Sequence, residues 1–196
     1  MGADIALACG LAVEGFLDDR VPEGKRVFDL PILGGRAWLE VRRSDVSVAL
    51  GIGENRARCR IYKLCERLGM TPVSLIHPTA AVAASAQIGA GVVVMAQAVI
   101  NPDARIADGA IINSGAIVEH DCEIGAFAHL SPNSTLGGAV RIGAFAHLGL
   151  SASVLPGKAV GEEAVVGAGA VVIADVPSRV VAVGVPARVQ RQLKEP

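Results

Sequence analysis

The sequence predicts a parallel β-solenoid with triangular coils, preceded by a small α/β segment. Three observations support this fold class. From Ile76 to Val172 an aliphatic residue recurs at every sixth position. Apolar residues make up 52% of the 196 residues, but aromatic residues make up only 3% and 23 residues are glycine, so small side chains must fill a core with closely spaced backbones. Before Ile76 the predicted helices and strands alternate, which is an α/β pattern.

The repeat consists of two columns of residues. Four positions after each aliphatic residue lies a small one, such as Ala98, Ala116 or Cys122, and Lys158 is the one misfit before Ala164. A period of six fits neither an amphipathic helix nor a simple alternating strand. Seventeen aliphatic residues keep the register without a break: Ile76, Val82, Ile88, Val94, Ile100, Ile106, Ile112, Val118, Ile124, Leu130, Leu136, Ile142, Leu148, Val154, Val160, Val166 and Val172.

The period of six indicates short strands joined by corners. The small residue and the aliphatic residue two positions later both point inward, and the residue between them points outward. Three such sides close a coil of 18 residues, and coils stack at about 4.8 Å. The 97 residues from Ile76 to Val172 therefore form five to six coils, and a prism this narrow has no room for aromatic side chains.

The residues before the repeat predict short elements around a glycine-containing loop, which is Gly51-Ile52-Gly53. Such a loop alone is a weak motif, because most loops of this kind are turns. A nucleotide-binding α/β unit begins with a strand and a glycine-rich turn, whereas this chain begins inside a helix, so we expect a truncated front domain. The predicted elements are a helix at Ala3–Cys9, strands at Val13–Leu17 and Val46–Leu50, a helix at Asn55–Leu68 and a strand at Val73–Ile76.

The residues after the repeat predict a closing loop and a short helix at Val189–Lys194. The loop contains Val-Gly-Val-Pro-Ala-Arg at 183–188, which is suited to cap the open end of a solenoid. We therefore divide the chain into an α/β domain at 1–75, a solenoid at 76–178 and a C-terminal segment at 179–196.

Composition and charge exclude several classes of protein. The formal net charge is −1 and aromatic residues are few, which argues against nucleic-acid binding. The longest uncharged stretches, such as Ile88–Pro102, are too short to span a bilayer, and no secretory signal opens the chain. The cysteines form no CxxC pair, so we expect reduced thiols in a cytoplasmic protein: Cys9, Cys59, Cys65 and Cys122.

Three of the four histidines fall within two coils of the repeat. His120 begins a corner, where its side chain projects outward, and Asp121 follows it. A carboxylate near the ring would raise its basicity, as a general base near pH 7 requires. His129 and His147 end two identical IGAFAH hexapeptides 18 residues apart, so they stack about 5 Å apart on one face. The alternatives are a surface or interface histidine at 120 and a functionless duplication at 147.

Other chemistries have weaker support. Zinc sites that are shared between neighbouring β-helices use two histidines five residues apart and a third, distant histidine. The histidine spacings in this chain are 9 and 18, so we expect no metal. No GxSxG motif supports a serine hydrolase. Cys122 occupies an inward repeat position, which favours packing over nucleophilic catalysis.

The repeat resembles the left-handed parallel β-helix of the hexapeptide-repeat acyltransferases, and the resemblance supplies the handedness. Three segments are more specific: residues 118–129, the ending at 183–188 and the front segment 15–19. Together they resemble the bacterial nucleotide-sugar acetyltransferases of the sialic-acid, bacillosamine and perosamine type, from about residue 3 to the end. The resemblance implies a homotrimer that transfers acetyl from acetyl-CoA to the amine of a nucleotide-linked amino sugar, or to a sugar hydroxyl.

The resemblance also implies roles for individual residues. His120 corresponds to the general base, and Asp121 stands where the bacillosamine-type enzymes have glutamate. His129 corresponds to a contact with the thioester end of acetyl-CoA. Two positions correspond to backbone contacts along the coenzyme groove and three to nucleotide-sugar contacts: Leu150 and Ala168, then Asp18, Asp19 and Gly53.

Two other functions remain open at the level of sequence. One is O-acetylation of a sialic acid-like sugar, and the other is a non-catalytic β-helix scaffold whose substrate domain has decayed. The absent front strand favours the scaffold, because the turn that would hold the sugar-nucleotide phosphates is absent with it. We therefore expect a chain that binds acetyl-CoA through its β-helix but binds nucleotide sugar poorly.

Overall fold

A computed structural model of the protein describes residues 2–42 and 46–194. The N-terminal part begins with a helix and forms a three-stranded sheet of order β1-β3-β2, with β1 parallel and β2 antiparallel to β3. A longer helix follows, and the carboxylate of Glu54 caps its N-terminus. These elements are α1 (Gly2–Ala8), β1 (Phe16–Leu17), β2 (Arg26–Val27), β3 (Leu30–Gly34), α2 (Ala37–Arg42) and α3 (Asn55–Arg67).

The remainder is a triangular prism of parallel two-residue strands. Seventeen of them follow at intervals of six residues, and each of the first fourteen pairs with the strand 18 residues further on. The predicted coil length is therefore confirmed. The strands are β4 (Leu75–Ile76), β5 (Ala81–Val82), β6 (Gln87–Ile88), β7 (Val93–Val94), β8 (Val99–Ile100), β9 (Arg105–Ile106), β10 (Ile111–Ile112), β11 (Ile117–Val118), β12 (Glu123–Ile124), β13 (His129–Leu130), β14 (Thr135–Leu136), β15 (Arg141–Ile142), β16 (His147–Leu148), β17 (Ser153–Val154), β18 (Ala159–Val160), β19 (Val165–Val166) and β20 (Val171–Val172).

The strands form three faces, which we number in chain order. Face 1 contains β4, β7, β10, β13, β16 and β19, and it continues into a hairpin of β21 (Val180–Val183) and β22 (Arg188–Gln192). Face 2 contains β5, β8, β11, β14, β17 and β20, and face 3 contains β6, β9, β12, β15 and β18. Corner 1–2, corner 2–3 and corner 3–1 join them.

The interior is the predicted pair of columns. From the second coil onward the aliphatic residue of each strand is buried, and so is the small residue two positions before it, as at Ala98 and Ile100; Lys158 is the exception and is partly exposed. A side chain larger than these would not fit between coils about 4.8 Å apart. The small-residue composition is thus a direct consequence of the prism.

The N-terminal elements pack on one side of this prism. Ile5 and Ala6 of α1 lie against Leu75, Val93 and Ile111 on the first coils of face 1. Helix α3 lies along corner 3–1, where Tyr62 contacts Phe127 edge to face and Phe127 stacks on Phe145, with 5.4 Å between ring centroids in each pair. The few aromatic residues of the chain therefore concentrate at the junction and outside the prism.

Faces 2 and 3 differ in the charge of their outward side chains. Face 3 carries charged side chains at Arg105, Glu123 and Arg141. Face 2 has no charged residue in its outward column, which is Ala81, Val99, Ile117, Thr135, Ser153 and Val171. Among the described residues, none of the helices is long and apolar enough to cross a bilayer.

Two predicted elements are wrong. Val46–Leu50 does not form a β-strand. One backbone hydrogen bond, from the Val73 N–H to the Val48 carbonyl, joins it to the segment before the prism, and a single bond is not enough for a strand pair. Val189–Lys194 is no helix, since Arg188–Gln192 forms β22 and pairs antiparallel with β21. Pairing at the edge of face 1 outweighs the weak local preference for a helix.

Candidate active site

His120 and Asp121 form an exposed pair at corner 2–3. His120 Nδ1 lies 2.8 Å from Asp121 Oδ2, and their side chains are 60% and 61% exposed. Asp121 adopts a left-handed backbone with φ of 59°, which aspartate tolerates better than most residues. The hydrogen bond from this carboxylate raises the pKa of His120 above its ordinary value, and the charges of Asp121 and Glu119 act in the same direction.

The pair leaves one ring nitrogen of His120 available. A carboxylate only accepts hydrogen bonds, so Nδ1 carries the proton and donates it, and Nε2 presents a lone pair. The ring lies over Gly138, one coil further on. A Cβ atom at Gly138 would lie 2.6 Å from both Nε2 and Cε1 of His120, a distance that real side chains do not adopt. The His120 ring thus occupies the space that a side chain at position 138 would fill.

His129 and His147 form a second pair on face 1, under opposite conditions. Their strands are in register, and the ring centroids are 4.8 Å apart. Burial lowers the pKa of His129 to about 4, and the neighbouring charges of His147 and Arg58 contribute. Burial also lowers the pKa of His147, with Arg58 as the second cause. Both rings are therefore neutral near pH 7.

A chain of hydrogen bonds fixes the tautomer of His129. The Ser114 N–H donates to Asn113 Oδ1 at 2.8 Å, which orients the amide so that its Nδ2 donates to His129 Nε2 at 3.0 Å. His129 Nδ1 then carries the proton and is buried. No well-formed hydrogen bond reaches it among the described residues, although the Gly53 main chain is near enough to oppose the lowering of the ring's pKa. His147 Nε2 lies 3.0 Å from Ser131 Oγ. His129 is thus arranged as a hydrogen-bond donor.

A cleft of about 550 Å³ separates this histidine pair from the N-terminus of α3. Gly53 from the loop before α3 and Asn55 from its first turn line one side. His129, His147 and Phe145 line the other side. The cleft therefore brings together two of the predicted site residues, Gly53 and His129.

A buried arginine connects the loop to the prism behind this cleft. The Arg58 side chain is fully buried and donates to carbonyl oxygens of Ile52 at 2.9 Å and Gly53 at 3.1 Å. It also donates to carbonyls of Gly109 at 2.6 Å and Phe127 at 2.7 Å on corner 3–1. Burial lowers the pKa of Arg58 to about 10, so it remains a cation at neutral pH.

The other predicted site residues lie elsewhere. Leu150 and Ala168 are exposed at corner 1–2, one coil apart. Asp18 and Asp19 follow β1 and do not line the cleft. Asp19 accepts from Arg36 N–H at 2.9 Å and pairs with its Nε at 2.6 Å, so a ligand would compete with Arg36 for this carboxylate.

A single subunit does not assemble all of these groups. His120 lies at corner 2–3, which is the corner that face 1 does not share, and His129 lies on face 1. Corner 2–3 and corner 1–2 are the two edges of face 2. Within one subunit, His120 therefore lies on a different edge of the prism from Leu150 and Ala168, and away from the face that carries His129. No three His, Cys, Asp or Glu side chains cluster as a metal site would require, within the residues described.

Sequence reasoning missed three residues of this region. Arg58 falls in the apolar stripe of α3 with Tyr62 and Cys65, and a charge in such a stripe was a usable signal. Asn113 and Gly138 occupy corner positions where the repeat tolerates many residues. Nothing in the period identifies them, because their roles depend on contacts with another coil.

Comparison with known proteins agrees with this architecture. Residues 85–120 match the family model described as bacterial transferase hexapeptide (six repeats). No curated protein sequence matches the chain. The crystal structure of PerB from Caulobacter crescentus in complex with CoA and GDP-perosamine is 40% identical, with a TM-score of 0.91 over 96% of this chain and 90% of that one.

Two further structures are similar. The acetyltransferase domain of PglB from Neisseria gonorrhoeae, in complex with acetyl coenzyme A, is 38% identical over 95% of this chain and 91% of that one, with a TM-score of 0.92. WeeI from Acinetobacter baumannii is 24% identical over 94% and 91%, with a TM-score of 0.87, and shows the fold alone. Perosamine N-acetyltransferase from C. crescentus has also been crystallised with one histidine replaced by asparagine or alanine.

Proposed function

This chain belongs to the bacterial nucleotide-sugar acetyltransferases of the hexapeptide-repeat, left-handed β-helix type, and we propose that it transfers acetyl from acetyl-CoA to the amine of a nucleotide-linked amino sugar. PerB is the N-acetyltransferase of GDP-perosamine, and the PglB domain binds acetyl-CoA. The observation that carries the proposal for this chain is the exposed His120–Asp121 pair, in which Asp121 holds Nδ1 of His120 and leaves its Nε2, beside Gly138, available.

In the proposed mechanism the acetyl group moves directly between the substrates. The sugar amine attacks the thioester carbonyl carbon, a C–N bond forms and the carbonyl oxygen becomes an oxyanion. His120 Nε2 takes a proton from the attacking nitrogen. When the oxyanion collapses, the C–S bond breaks, and the imidazolium returns its proton to the departing sulfur. The products are an amide and the free thiol of coenzyme A, and no acyl-enzyme forms.

We propose that neutral His129, or a backbone N–H near it, stabilises the developing oxyanion. A buried donor that is already oriented costs no reorganisation when the charge develops. The low pKa of His129, about 4, keeps it neutral, so it would not compete with His120 for the proton. Leu150 and Ala168 would line the coenzyme groove, and Gly53, Asp18 and Asp19 would serve the nucleotide sugar.

We also propose that the active form is a cytoplasmic homotrimer in which face 2 lies at the subunit contacts. The uncharged outward column of face 2 supports this choice over face 3, which carries Arg105, Glu123 and Arg141. Its two edges would bring His120 of one subunit to the coenzyme groove of the next. Light scattering that finds an active monomer would exclude the arrangement.

The function is tested by incubating the protein with acetyl-CoA and GDP-perosamine, and in parallel with a UDP-linked 4-amino sugar. Thiol release and the mass of the sugar product report acetyl transfer. The matched control substrate carries a hydroxyl in place of the amine, and transfer to it alone would indicate an O-acetyltransferase. Coenzyme binding without transfer to any of these acceptors would contradict the proposal and favour a scaffold.

A further inference from the structure

The first turn of α3 docks onto four successive coils at one repeat position. That position recurs every 18 residues along corner 3–1, at Gly109, Phe127, Phe145 and Glu163, and the backbone is left-handed at all four, with φ between 56° and 63°. Arg58 Nε and Nη2 donate to the carbonyls of 109 and 127, at 2.6 and 2.7 Å. Asn55 Nδ2 donates to the carbonyl of 145 at 2.8 Å, and Arg56 Nη2 pairs with the Glu163 carboxylate at 2.6 Å.

Arg58 is the centre of this contact because it is the buried member. Every acceptor around its guanidinium is uncharged: five are main-chain carbonyls and the sixth is Asn55 Oδ1 at 2.9 Å. Among the described residues no carboxylate is hydrogen-bonded to this buried cation, although the charge of Glu54 stabilises it, and an apolar residue in its place would leave these carbonyls without its N–H donors. The planar guanidinium of Arg58 supplies a fork of N–H donors whose directions are fixed.

That fork joins two groups of carbonyls that do not otherwise meet. One group belongs to the loop before α3, at Ile52 and Gly53. The other belongs to the coils at Gly109 and Phe127, and the latter coil continues directly into His129. The loop contains two glycines, so its own backbone does little to fix its position. Arg58 therefore sets the distance between the loop and the histidine face of the cleft.

We propose that Arg58 is a positioning residue for the acceptor sugar, because it holds loop 51–53 at the height of the His129 coil. The proposal rests on the proposed function, in which Gly53 contacts the nucleotide sugar. Arg58 does not line the cleft and touches no substrate in this scheme. Its effect is on where the sugar amine lies, and it leaves the coenzyme positions at Leu150 and Ala168 untouched.

The test is Arg58→Lys, with Arg60→Lys as the matched control on the exposed side of the same helix. Lysine keeps the charge but has three donors on one nitrogen, so it cannot span both groups of carbonyls. Because a misplacement of about 1 Å costs up to about 100-fold, kcat/KM for the amino sugar should fall about 30- to 100-fold in Arg58→Lys. The Kd for coenzyme A should stay within about twofold, and Arg60→Lys should match wild type, since Arg60 is 71% exposed.

A second variant separates positioning from folding. Arg58→Ala leaves a space that methylguanidinium fits, and added methylguanidinium should recover part of the lost kcat/KM in this variant alone. A folded Arg58→Lys with unchanged sugar kinetics would overturn the proposal, and so would equal losses for sugar and coenzyme or a failure of both variants to fold. If wild type transfers acetyl to no acceptor, the proposed function fails first, and that result is distinct from an active wild type with an indifferent Arg58.

Discussion

The two histidine pairs of the β-helix place the same side chain under opposite electrostatic conditions. His120 lies at an exposed corner with a carboxylate on Nδ1, and the pKa of its ring is raised. His129 is half-buried on face 1 with an amide on Nε2, and its pKa is lowered to about 4. The two residues occupy different positions of the repeat, a corner for His120 and a strand for His129, and their neighbours in adjacent coils and in the N-terminal domain also differ. One ring is suited to take a proton and the other to donate a hydrogen bond.

The largest effect should come from removing the base. His120→Ala should lower turnover by a factor of about 100 to 10,000, which is the usual contribution of a general base. Calorimetry with coenzyme A should give a nearly unchanged Kd, because His120 does not hold the coenzyme in this scheme. His147→Ala is the matched control on the other pair, and its turnover should fall much less. A His120→Ala variant with turnover within a few-fold of wild type would show that the corner pair is not the base.

The second largest loss of turnover should come from filling the space beside the His120 ring. Gly138→Ala should lower turnover by about 100-fold, because the added methyl displaces the ring by roughly an ångström. The backbone at Gly138 is outside the left-handed region, so alanine adds no strain of its own. Gly2→Ala is the control, since its methyl would make only ordinary contacts at 3.9 Å. Equal turnover in both variants would mean that the ring relocates without loss.

The contrast between the pairs also marks the limit of sequence reasoning. The period of six predicted the strands, the inward columns and a separation of about 5 Å between His129 and His147, whose ring centroids lie 4.8 Å apart, because each depends only on the repeat. The depressed pKa of His129 depends first on its burial and then on the charges of His147 and of Arg58, which is 71 residues away in the chain. No local pattern encodes such a contact.

The elements outside the repeat illustrate the same limit. Helix α3 was predicted from its apolar stripe and its glycine stop, and it is confirmed. Val46–Leu50 and Val189–Lys194 were wrong because short apolar or mixed segments take the structure that their neighbours allow. β22 exists because β21 offers it an edge, and Val46–Leu50 lacks such an edge.

Acid should change the contributions of His129 and His120 to the stability of the fold in opposite directions. The folded pKa of His129, about 4, lies below the ordinary value near 6.5, so the unfolded chain binds the proton more readily. Its stability contribution is complete above pH 6.5 and is lost as the pH falls towards 4, by about 2 to 3 kcal/mol. His120 acts in reverse, since its contribution is present below pH 6.5 and is lost as the pH rises through its raised pKa.

Urea unfolding of wild type and His129→Gln between pH 4 and 7.5 tests whether the stability contribution of His129 is lost in acid. The carboxylates titrate alike in both proteins, so the difference between the two stability curves isolates the histidine. That difference should change steadily between pH 6.5 and 4, with wild type losing more stability. Curves that stay parallel over this range would mean that His129 is not buried as a neutral ring.

The smallest effect concerns the partner of His120. In Asp121→Asn the side-chain carbonyl still accepts the Nδ1 proton, so the ring keeps its orientation, but the carboxylate charge is lost. The pKa of His120 should then fall towards its ordinary value, and the acidic limb of the kcat/KM profile should move to lower pH. Turnover at neutral pH should fall about tenfold, because a weaker base takes the proton less readily. Asp121→Glu restores the charge on a longer side chain and should retain the position of the limb. An acidic limb that does not move in Asp121→Asn would show that the carboxylate orients the ring without tuning it.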